Sequence, residues 1–419
     1  MIHLPPALRH RRFRLLWIGL AISIAGSQMQ VWSLFWHIRT ITEQPIALGG
    51  VGLARILPIL AFSLVGGALA DVVNRRRLLF LTQSVMAFTA LALAWLTFRG
   101  EITLWHIYAL TAIQAIAIAF DLPARQALVP NLVTPRDLPN AFSLQSIAFQ
   151  TGSIVGPAVS GLVIAYWGQP YTYLINGISF LAVLWALLLM GPVAQGAHAT
   201  AGFDRRPVIS WPAIIEGIHF IRTHPIILSS MVLDFFATFF SSANTLMPIF
   251  ARDILRVGVL EYGWLSAAQS VGAMLAALAI SQMPELRRQG PVFLISVVAF
   301  GLATIVFGLA RAFPLAMLAL VFVGASDSVS TIIRNTIRQL QTPDYIRGRM
   351  VSVNQIFFMG GPQLGEIEAG VAAQIFGAPL AVISGGVGCI LAVAWIARRW
   401  PQLRFYNGDE PILAGAPTD

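Results

Sequence analysis

The sequence predicts an all-α membrane protein with twelve transmembrane helices, arranged as two pseudo-symmetric six-helix bundles. The chain of 419 residues is 57% hydrophobic and only 11% charged, and that charged fraction is about half that of an ordinary soluble protein. Twelve apolar runs of about 17 to 25 residues follow one another, the length that crosses a bilayer as a helix. Backbone groups in lipid must form their hydrogen bonds within each segment, so these runs are helices and not strands. The runs begin near Leu15, Leu48, Leu78, Leu104, Leu144, Tyr171, Ile226, Trp264, Val292, Phe313, Val351 and Leu380.

The arginines predict the orientation of these helices. Of the 27 basic residues, all of them arginine, 21 fall on one side of the predicted spans and five on the other. Arg334 and Arg338 are counted on the richer side, and Arg55 lies inside the second run. Basic residues concentrate on the cytoplasmic side, so we expect a multi-pass protein of the cytoplasmic (inner) membrane with both termini in the cytoplasm. This topology also accounts for the net charge of +9 without a nucleic-acid partner.

The longest internal connection divides the chain into two halves. Apolar residues recur in it at helical spacing opposite a polar face, which predicts an amphipathic helix lying on the cytoplasmic membrane surface. A short buried helix in a soluble insertion is the alternative. We expect six-helix bundles at residues 1–191 and 225–400, a linker at 192–224 and a cytoplasmic tail at 401–419. The apolar positions of the linker helix are Trp211, Ile214, Ile215, Ile218 and Ile221.

An internal repeat relates the two halves. Five residues of the first half match the same residue types 209 positions later, in the same order. Glycine and proline are frequent in membrane helices, but a constant offset over five positions indicates duplication. A same-direction repeat of six spans predicts two bundles related by a pseudo-twofold axis along the membrane normal. The pairs are Arg125 with Arg334, Gly156 with Gly365, Gly161 with Gly370, Gly168 with Gly377 and Pro170 with Pro379.

The turn between the second and third runs carries a distinctive order of residues. Gly67 permits close helix packing, Asp71 lies where a helix end meets water, and Arg75 and Arg76 hold the turn in the cytoplasm. This order, G-x-x-x-D-x-x-x-R-R, resembles the signature between the second and third helices of the major facilitator superfamily. The resemblance covers essentially the whole chain and implies the major facilitator fold. It also implies that these residues form a cytoplasmic gate with the end of the fourth helix, where Arg125 stands.

The fifth run narrows the resemblance. Gly152, Gly156, Pro157 and Gly161 are similar to the G-x-x-x-G-P motif of the superfamily's antiporters, most of which export drugs. Small residues every fourth position permit tight packing and proline bends a helix, so ordinary close packing is the alternative explanation. Residues 120–127 and 246–253 resemble the branch that contains enterobactin-type and macrolide-type exporters.

Charged groups inside the spans need a partner or a function, because each costs at least ~2.5 kcal/mol at the bilayer centre. Arg55, Glu366 and Glu368 stand at similar depths below the outer ends of spans two and eleven, which are neighbours in the resembled fold. We hypothesise that Arg55 pairs with one of the two glutamates as an outer gate. A permanent ion pair that only offsets desolvation is the alternative.

Two acids are proton-coupling candidates. Asp234 stands among phenylalanines in span seven, and a carboxylate in apolar surroundings suits a group that takes up and releases a proton. Glu366 is the second candidate. A neutral acid hydrogen-bonded to a neighbouring helix is the alternative for Asp234. Asp121 and Asp327 are expected near the cytoplasmic ends of spans four and ten, in structural ion pairs.

Polar and aromatic groups on three spans are expected to line a central substrate cavity. Mixed aromatic and amide walls suit an amphipathic organic molecule better than a sugar or an inorganic ion. An interfacial position is the alternative for Trp36. The candidates are Gln28, Gln30, Trp32 and Trp36 in span one, Gln114 in span four, and Phe239, Ser241, Ser242 and Asn244 in span seven.

The sequence favours a transporter over an enzyme. It contains no nucleophile elbow, phosphate-binding loop or zinc-protease motif, and its single cysteine, Cys389, provides no thiolate metal site. We therefore expect no cofactor or metal, an ion gradient as the energy source, and protons, a small-molecule substrate and the lipid bilayer as partners of a monomer. The predicted function is proton-coupled export of a small amphipathic compound, either drug-like or siderophore-like, by alternating access. A facilitator or importer of a nutrient or lipid, and a polytopic scaffold or sensor that transports nothing, are the alternatives.

Overall fold

The computed structural model of the chain describes residues 5–193, 211–240, 243–283 and 287–408, and the regular structure of these residues is helical throughout. Short 3-10 turns at Val129–Asn131 and Pro135–Asp137 and a π-helical turn at Phe250–Ile254 accompany the α-helices. The predicted all-α class is therefore confirmed. The α-helices are α1 (Pro6–Arg9), α2 (Arg11–Ile41), α3 (Ile46–Val72), α4 (Arg75–Phe98), α5 (Leu104–Leu128), α6 (Leu138–Trp167), α7 (Gln169–Met190), α8 (Trp211–Thr223), α9 (Pro225–Phe239), α10 (Ala243–Ile249), α11 (Val259–Ser281), α12 (Gln289–Leu309), α13 (Phe313–Leu340), α14 (Asp344–Phe376), α15 (Ala378–Arg399) and α16 (Pro401–Phe405).

Among the described residues, eleven helical segments are long and apolar enough to cross a membrane. The predicted seventh run is divided between α9 and α10. The eleventh run corresponds to α14, which has 33 residues and is not among those eleven segments. At a rise of 1.5 Å per residue α14 spans about 50 Å, more than the ~30 Å hydrocarbon core of a bilayer. The chain is a multi-pass membrane protein, and twelve remains an approximate number of spans.

The helices form two compact units. Unit 1 contains residues 1–43, 53–209 and 258–267, and unit 2 contains residues 44–52, 210–257 and 268–419. The core of unit 1 packs side chains of α2, α4, α5 and α7, including Phe13, Leu79, Leu128 and Leu187. The predicted bundle boundaries at 1–191 and 225–400 stay a prediction.

The core of unit 2 is built in the same way from the second half of the chain. It includes Leu233 of α9, Phe293 of α12, Ile337 of α13 and Ile396 of α15. Leu403 of α16 completes this core, and Gly290 permits the close approach because a Cβ there would overlap the Leu403 carbonyl.

Both units use the same pairs of helices internally. In unit 1, α2 packs on α6 and α7, and α4 packs on α5 and α7. In unit 2, α9 packs on α14 and α15, and α12 packs on α13 and α15. These four pairings correspond one to one along the chain, as a duplication of the spans requires.

The paired glycines of the repeat have equivalent structural roles. Gly168 ends α6 at φ +94° and Gly377 ends α14 at φ +82°, a backbone region that is nearly restricted to glycine. Gly161 lies against Gly263 within unit 1, and a Cβ on Gly161 would be 2.9 Å from the Gly263 Cα. Gly370 lies against Gly49 within unit 2, and a Cβ on Gly370 would likewise be 2.9 Å from the Gly49 Cα. The repeat deduced from sequence offsets therefore marks matching helix ends and matching close contacts.

The linker helix is α8. Its Phe220 and Ile221 are buried against Ile227 and Met231 of α9 and Met350 of α14, whereas Glu216, His219 and Arg222 are exposed. Of the two predicted apolar positions whose side chains are described, Ile221 packs against helices of unit 2, whereas Ile218 is 41% exposed, so the predicted apolar face is buried there only in part. The side chains of Trp211, Ile214 and Ile215 lie outside the described residues.

Candidate functional site

A buried ion cluster joins α9 to α13 inside unit 2. Asp234 Oδ1 lies 2.7 Å from Arg334 Nη1, and Asp234 Oδ2 accepts a hydrogen bond of 2.9 Å from Arg338 Nη2. The side chain of Asp234 is 3% exposed and those of the two arginines are 4% exposed. Two guanidinium groups thus compete for one buried carboxylate, and Arg338 Nε has no hydrogen-bond partner among the described residues.

This cluster corrects two expectations. Asp234 does not stand in purely apolar surroundings, because the two arginines reach its carboxylate from the last two turns of α13. Arg334 and Arg338 are buried helical residues and not members of a cytoplasmic loop. Residues four apart lie on the same face of a helix, so the spacing of Arg334 and Arg338 was a sign in the sequence that both could contact one acid on a neighbouring helix.

Asp327 belongs to the edge of the same cluster. Its Oδ1 is 3.9 Å from Arg334 Nη1 and its side chain is 52% exposed, so the pair is loose. The expected ion pair is present, and the position of Asp327 near the end of the membrane span stays a prediction. Asp327 precedes the end of α13 at Leu340 by 13 residues, which is about 20 Å along a helix.

Unit 1 contains a second buried acid, on α5, the helix that corresponds to α13. Asp121 Oδ2 lies 2.9 Å from Arg125 Nη2 one turn further along α5. Asp121 Oδ1 accepts hydrogen bonds from Thr82 Oγ1 at 3.0 Å and from Gln83 Nε2 at 2.8 Å, both on α4. The expected structural ion pair of Asp121 is therefore present, and it adds hydrogen bonds between α4 and α5.

The arginines of the predicted hairpin stabilise two helix ends. Arg75 Nη1 donates to the Ala127 carbonyl of α5 at 3.0 Å, and Arg76 Nε donates to the Leu187 carbonyl of α7 at 2.7 Å. Carbonyls in the last turn of a helix lack internal partners and carry the negative end of the helix dipole, so a guanidinium is a favourable partner. The turn itself is short, because α3 ends at Val72 and Asn74 caps α4 through the Arg77 amide. Gly67 and Asp71 of the same motif belong to the last two turns of α3, and their packing falls outside the described part of the structure.

The glycine motif of α6 is a packing surface against α2. A Cβ on Gly152 would lie 2.8 Å from Ile24 Cγ2, and a Cβ on Gly156 would lie 2.5 Å from Gln28 Cβ. Pro157 is buried beside this contact, and its ring removes one backbone hydrogen bond from the middle of α6. The motif therefore allows the two long helices α2 and α6 to pack closely.

The amide candidates for the substrate cavity divide into two kinds. Gln28 is half-buried and donates to Ser153 Oγ at 3.1 Å. Gln30 is 3% exposed, and its amide is shared between Gln114 at 3.0 Å and Asn176 at 2.6 Å. Gln30 therefore joins α2, α5 and α7 inside unit 1 and does not present its amide to an open cavity, because both ends of that amide are already hydrogen-bonded.

The aromatic candidates lie in two clusters, one in each unit. In unit 1, the Trp32 ring is 6.2 Å and the Trp36 ring 4.9 Å from the ring of Tyr262, whose hydroxyl donates to the Trp32 carbonyl. In unit 2, Phe239 stacks on Phe235 at 5.9 Å.

Asn244 follows the aromatic cluster of unit 2 on α10. Its Oδ1 is buried without a hydrogen-bond partner among the described residues, which leaves an acceptor for a ligand. Ser241 and Ser242 lie outside the described residues.

The three outer-gate candidates are divided between the two units. Arg55 lies over the Phe35 ring in unit 1, with its guanidinium carbon 5.8 Å from the ring centre. Glu366 lies in unit 2 beside Gly52, where a Cβ would be 3.1 Å from Glu366 Oε2. Glu368 is half-buried on the same helix, and its Oε2 has no hydrogen-bond partner among the described residues.

Comparison with known proteins agrees with this architecture. The family model described as transmembrane secretion effector, a division of the major facilitator superfamily, matches residues 4–409. The multidrug efflux pump Tap of Mycolicibacterium fortuitum is 26% identical over 361 residues, covering 84% of this chain and 87% of that protein. The enterobactin exporter EntS of Citrobacter koseri is 24% identical, covering 84% and 83%.

Solved structures share the fold at low sequence identity. A bacterial homologue of the human lysosomal transporter Spinster, in an inward-facing and occupied conformation, superposes with a TM-score of 0.75 at 14% identity, covering 93% of this chain and 97% of that one. A bacterial homologue of the iron transporter ferroportin, in an inward-facing state, gives a TM-score of 0.67 at 15% identity, covering 94% and 99%. The family consists of transporters and not of enzymes. Because the family model covers nearly the whole sequence, the chain belongs to the transmembrane secretion effector family of the major facilitator superfamily.

Proposed function

We propose that the protein is a secondary active transporter that exports a small amphipathic organic compound in exchange for protons. The observation that carries the proposal is the buried carboxylate of Asp234, held between Arg334 and Arg338 inside a membrane-spanning unit. Ionisable groups at this depth are expensive and are retained where an ion or proton moves.

Protonation of Asp234 would change the contact between α9 and α13. The ionised carboxylate attracts two guanidinium groups that otherwise repel each other at close range in a medium of low dielectric. A proton on Asp234 removes that attraction and weakens the link between the two helices. The acid therefore couples proton binding to helix packing, which is the physical requirement for exchange by alternating access.

Glu366 is the second proposed coupling group. It lies on α14 next to the closely packed Gly49 and Gly52 of the same unit, so a change in its charge acts at a helix contact that has no room for an added methyl group. We also keep the outer gate, in which Arg55 pairs with Glu366 or Glu368, as part of the proposal. The cytoplasmic gate of Asp71, Arg75, Arg76 and Arg125 is part of it as well.

Two features support an amphipathic organic substrate. Aromatic rings cluster in both units, around Tyr262 in unit 1 and around Phe239 in unit 2, and Asn244 offers a buried acceptor nearby in sequence. The names of the relatives point the same way, because Tap is a multidrug efflux pump and EntS an enterobactin exporter. The proposal includes a monomer in the cytoplasmic membrane with both termini in the cytoplasm.

Transport in proteoliposomes under an imposed proton gradient tests the proposal. The full chain should move ethidium or enterobactin against its gradient when protons flow the other way. Asp234→Asn should abolish this accumulation while leaving substrate exchange without a gradient, a readout that only a folded protein gives. Glu366→Gln should impair accumulation in the same way.

Asp327→Asn is the matched control, because it removes an exposed carboxylate whose contact with Arg334 is loose, at 3.9 Å. Undiminished gradient-driven export in both Asp234→Asn and Glu366→Gln would contradict the coupling assignment. Accumulation of substrate in the same direction as proton flow would favour the importer.

A further inference from the structure

We infer that unit 1 binds the headgroup of an anionic phospholipid in a small cavity at the start of α2. The cavity has a volume of about 300 Å³ and is lined by residues of α2 and α7 and of the turn after α5. This inference rests on the proposed cytoplasmic position of the α2 start but not on proton coupling. The lining residues are His10, Arg11, Arg12, Leu15, Leu132, Leu189 and Met190.

One wall of the cavity is cationic and available. Arg11 and Arg12 are exposed, and within the described part of the chain neither forms an ion pair or a side-chain hydrogen bond. The carboxylate of Asp137 accepts from His10 Nε2 at 2.7 Å and from Thr134 Oγ1 at 2.9 Å, and within the described residues it forms no ion pair with either arginine. A guanidinium can donate two parallel hydrogen bonds to a phosphate, which makes paired arginines suited to a phosphodiester.

The rest of the cavity lining, apart from His10, is apolar. Leu132 and Met190 are buried, whereas Leu189, next to the end of α7, is 46% exposed. A water-soluble phosphate would leave this wall unused. A diacyl phospholipid fills both parts, with its phosphate at the arginines and the first methylenes of one chain against the leucines and Met190. Basic pockets between membrane helices on the cytoplasmic side have the charge that anionic lipids require.

Lipid binding to the purified full chain tests the inference. Delipidated protein in neutral detergent is titrated with dioleoylphosphatidylglycerol or dioleoylphosphatidylcholine, and retained lipid is counted by native mass spectrometry. The anionic lipid should bind at least about tenfold more tightly than the zwitterionic one, since each arginine near a headgroup contributes roughly a fivefold to tenfold preference. Glycerophosphoglycerol and inorganic phosphate, added at the lipid concentration, should not compete.

Two variants locate the site. The double substitution Arg11→Gln with Arg12→Gln should lower phosphatidylglycerol retention at least about 25-fold, the product of two roughly fivefold contributions. The matched double substitution Arg9→Gln with Arg14→Gln removes the same charge from neighbouring exposed arginines that do not line the cavity, and should lower it less than threefold. Leu189→Trp should also weaken retention without a change of charge, because the larger ring occupies the apolar wall.

Three outcomes would overturn the inference. Equal losses in the two double variants would assign the binding to diffuse surface charge. Equal retention of the two lipids would remove the role of the anion. Competition by glycerophosphoglycerol or phosphate would identify a soluble anion and not a lipid as the occupant. The melting temperature without added lipid, which should match that of the parent chain, checks that each variant is folded.

Discussion

Asp234→Asn should strongly destabilise the protein. In the parent chain, the buried guanidinium groups of Arg334 and Arg338 both lie within 2.9 Å of the Asp234 carboxylate. The substitution leaves both groups without this anion. Removing one partner of a buried ion pair costs about 3 to 5 kcal/mol. Because Asp234 serves two arginines, we expect about 4 kcal/mol or more, a large part of the 5 to 15 kcal/mol that stabilises a typical folded protein.

Reversible unfolding in mixed detergent micelles measures this loss, and a double-mutant cycle with Arg338→Gln assigns it. The single Arg338→Gln variant should cost about 3 kcal/mol, and the double variant should be more stable than the sum of the singles predicts by about 2 kcal/mol. Asp327→Asn should cost less than about 1 kcal/mol, because its carboxylate is half exposed and distant. An Asp234→Asn variant within about 1 kcal/mol of the parent, or one uncoupled from Arg338→Gln, would refute the role of the cluster.

Three further substitutions follow from local geometry. Gly156→Leu should prevent close packing of α6 on α2 and abolish the monodisperse peak in fluorescence-detected size-exclusion chromatography, whereas Gly360→Ala, where a Cβ meets no atom within 4 Å, should leave the peak unchanged. Asp121→Asn should cost about 2 to 4 kcal/mol in the same unfolding assay, since it removes the charge opposite Arg125; a change below about 1 kcal/mol would contradict this. Gly377→Ala should cost about 1 to 3 kcal/mol because its φ of +82° disfavours a side chain, and an unchanged melting temperature would contradict that reading.

Features that depend on chain periodicity could be predicted from the sequence. A backbone that crosses lipid must form its hydrogen bonds within its own segment. The position and length of each apolar run therefore predicted a helix there. The repeat could be seen because matching residues recur at a constant offset of 209 positions. Glycine is nearly required at a helix end with positive φ, and Gly168 and Gly377 keep that role in both units.

Pairings between distant residues could not be predicted in this way. Asp234 and Arg338 are separated by 104 positions, and only the packing of α9 on α13 brings them together. The phenylalanines around Asp234 in the sequence suggested apolar surroundings, but neighbours along a helix point in different directions. Gln30 was misread for a related reason, because a polar residue in a span can face a cavity or a polar partner on the next helix, and Asn176 is that partner.

The two buried acids pair with arginines at equivalent positions of the repeat, Arg125 and Arg334, but they differ in what they connect. Asp121 takes its arginine from its own helix, one turn away, so its ion pair survives any rearrangement that moves α5 as a rigid body. Asp234 takes both arginines from another helix, so its ion pairs persist only while α9 and α13 keep their present contact. A proton on Asp121 therefore alters mainly the hydrogen bonds to Thr82 and Gln83, whereas a proton on Asp234 removes the electrostatic link between two spans. Since a helix contact must change for a carrier to alternate, we expect Asp234 to be the better proton sensor under the proposed exchange mechanism, although both acids are equally withdrawn from water.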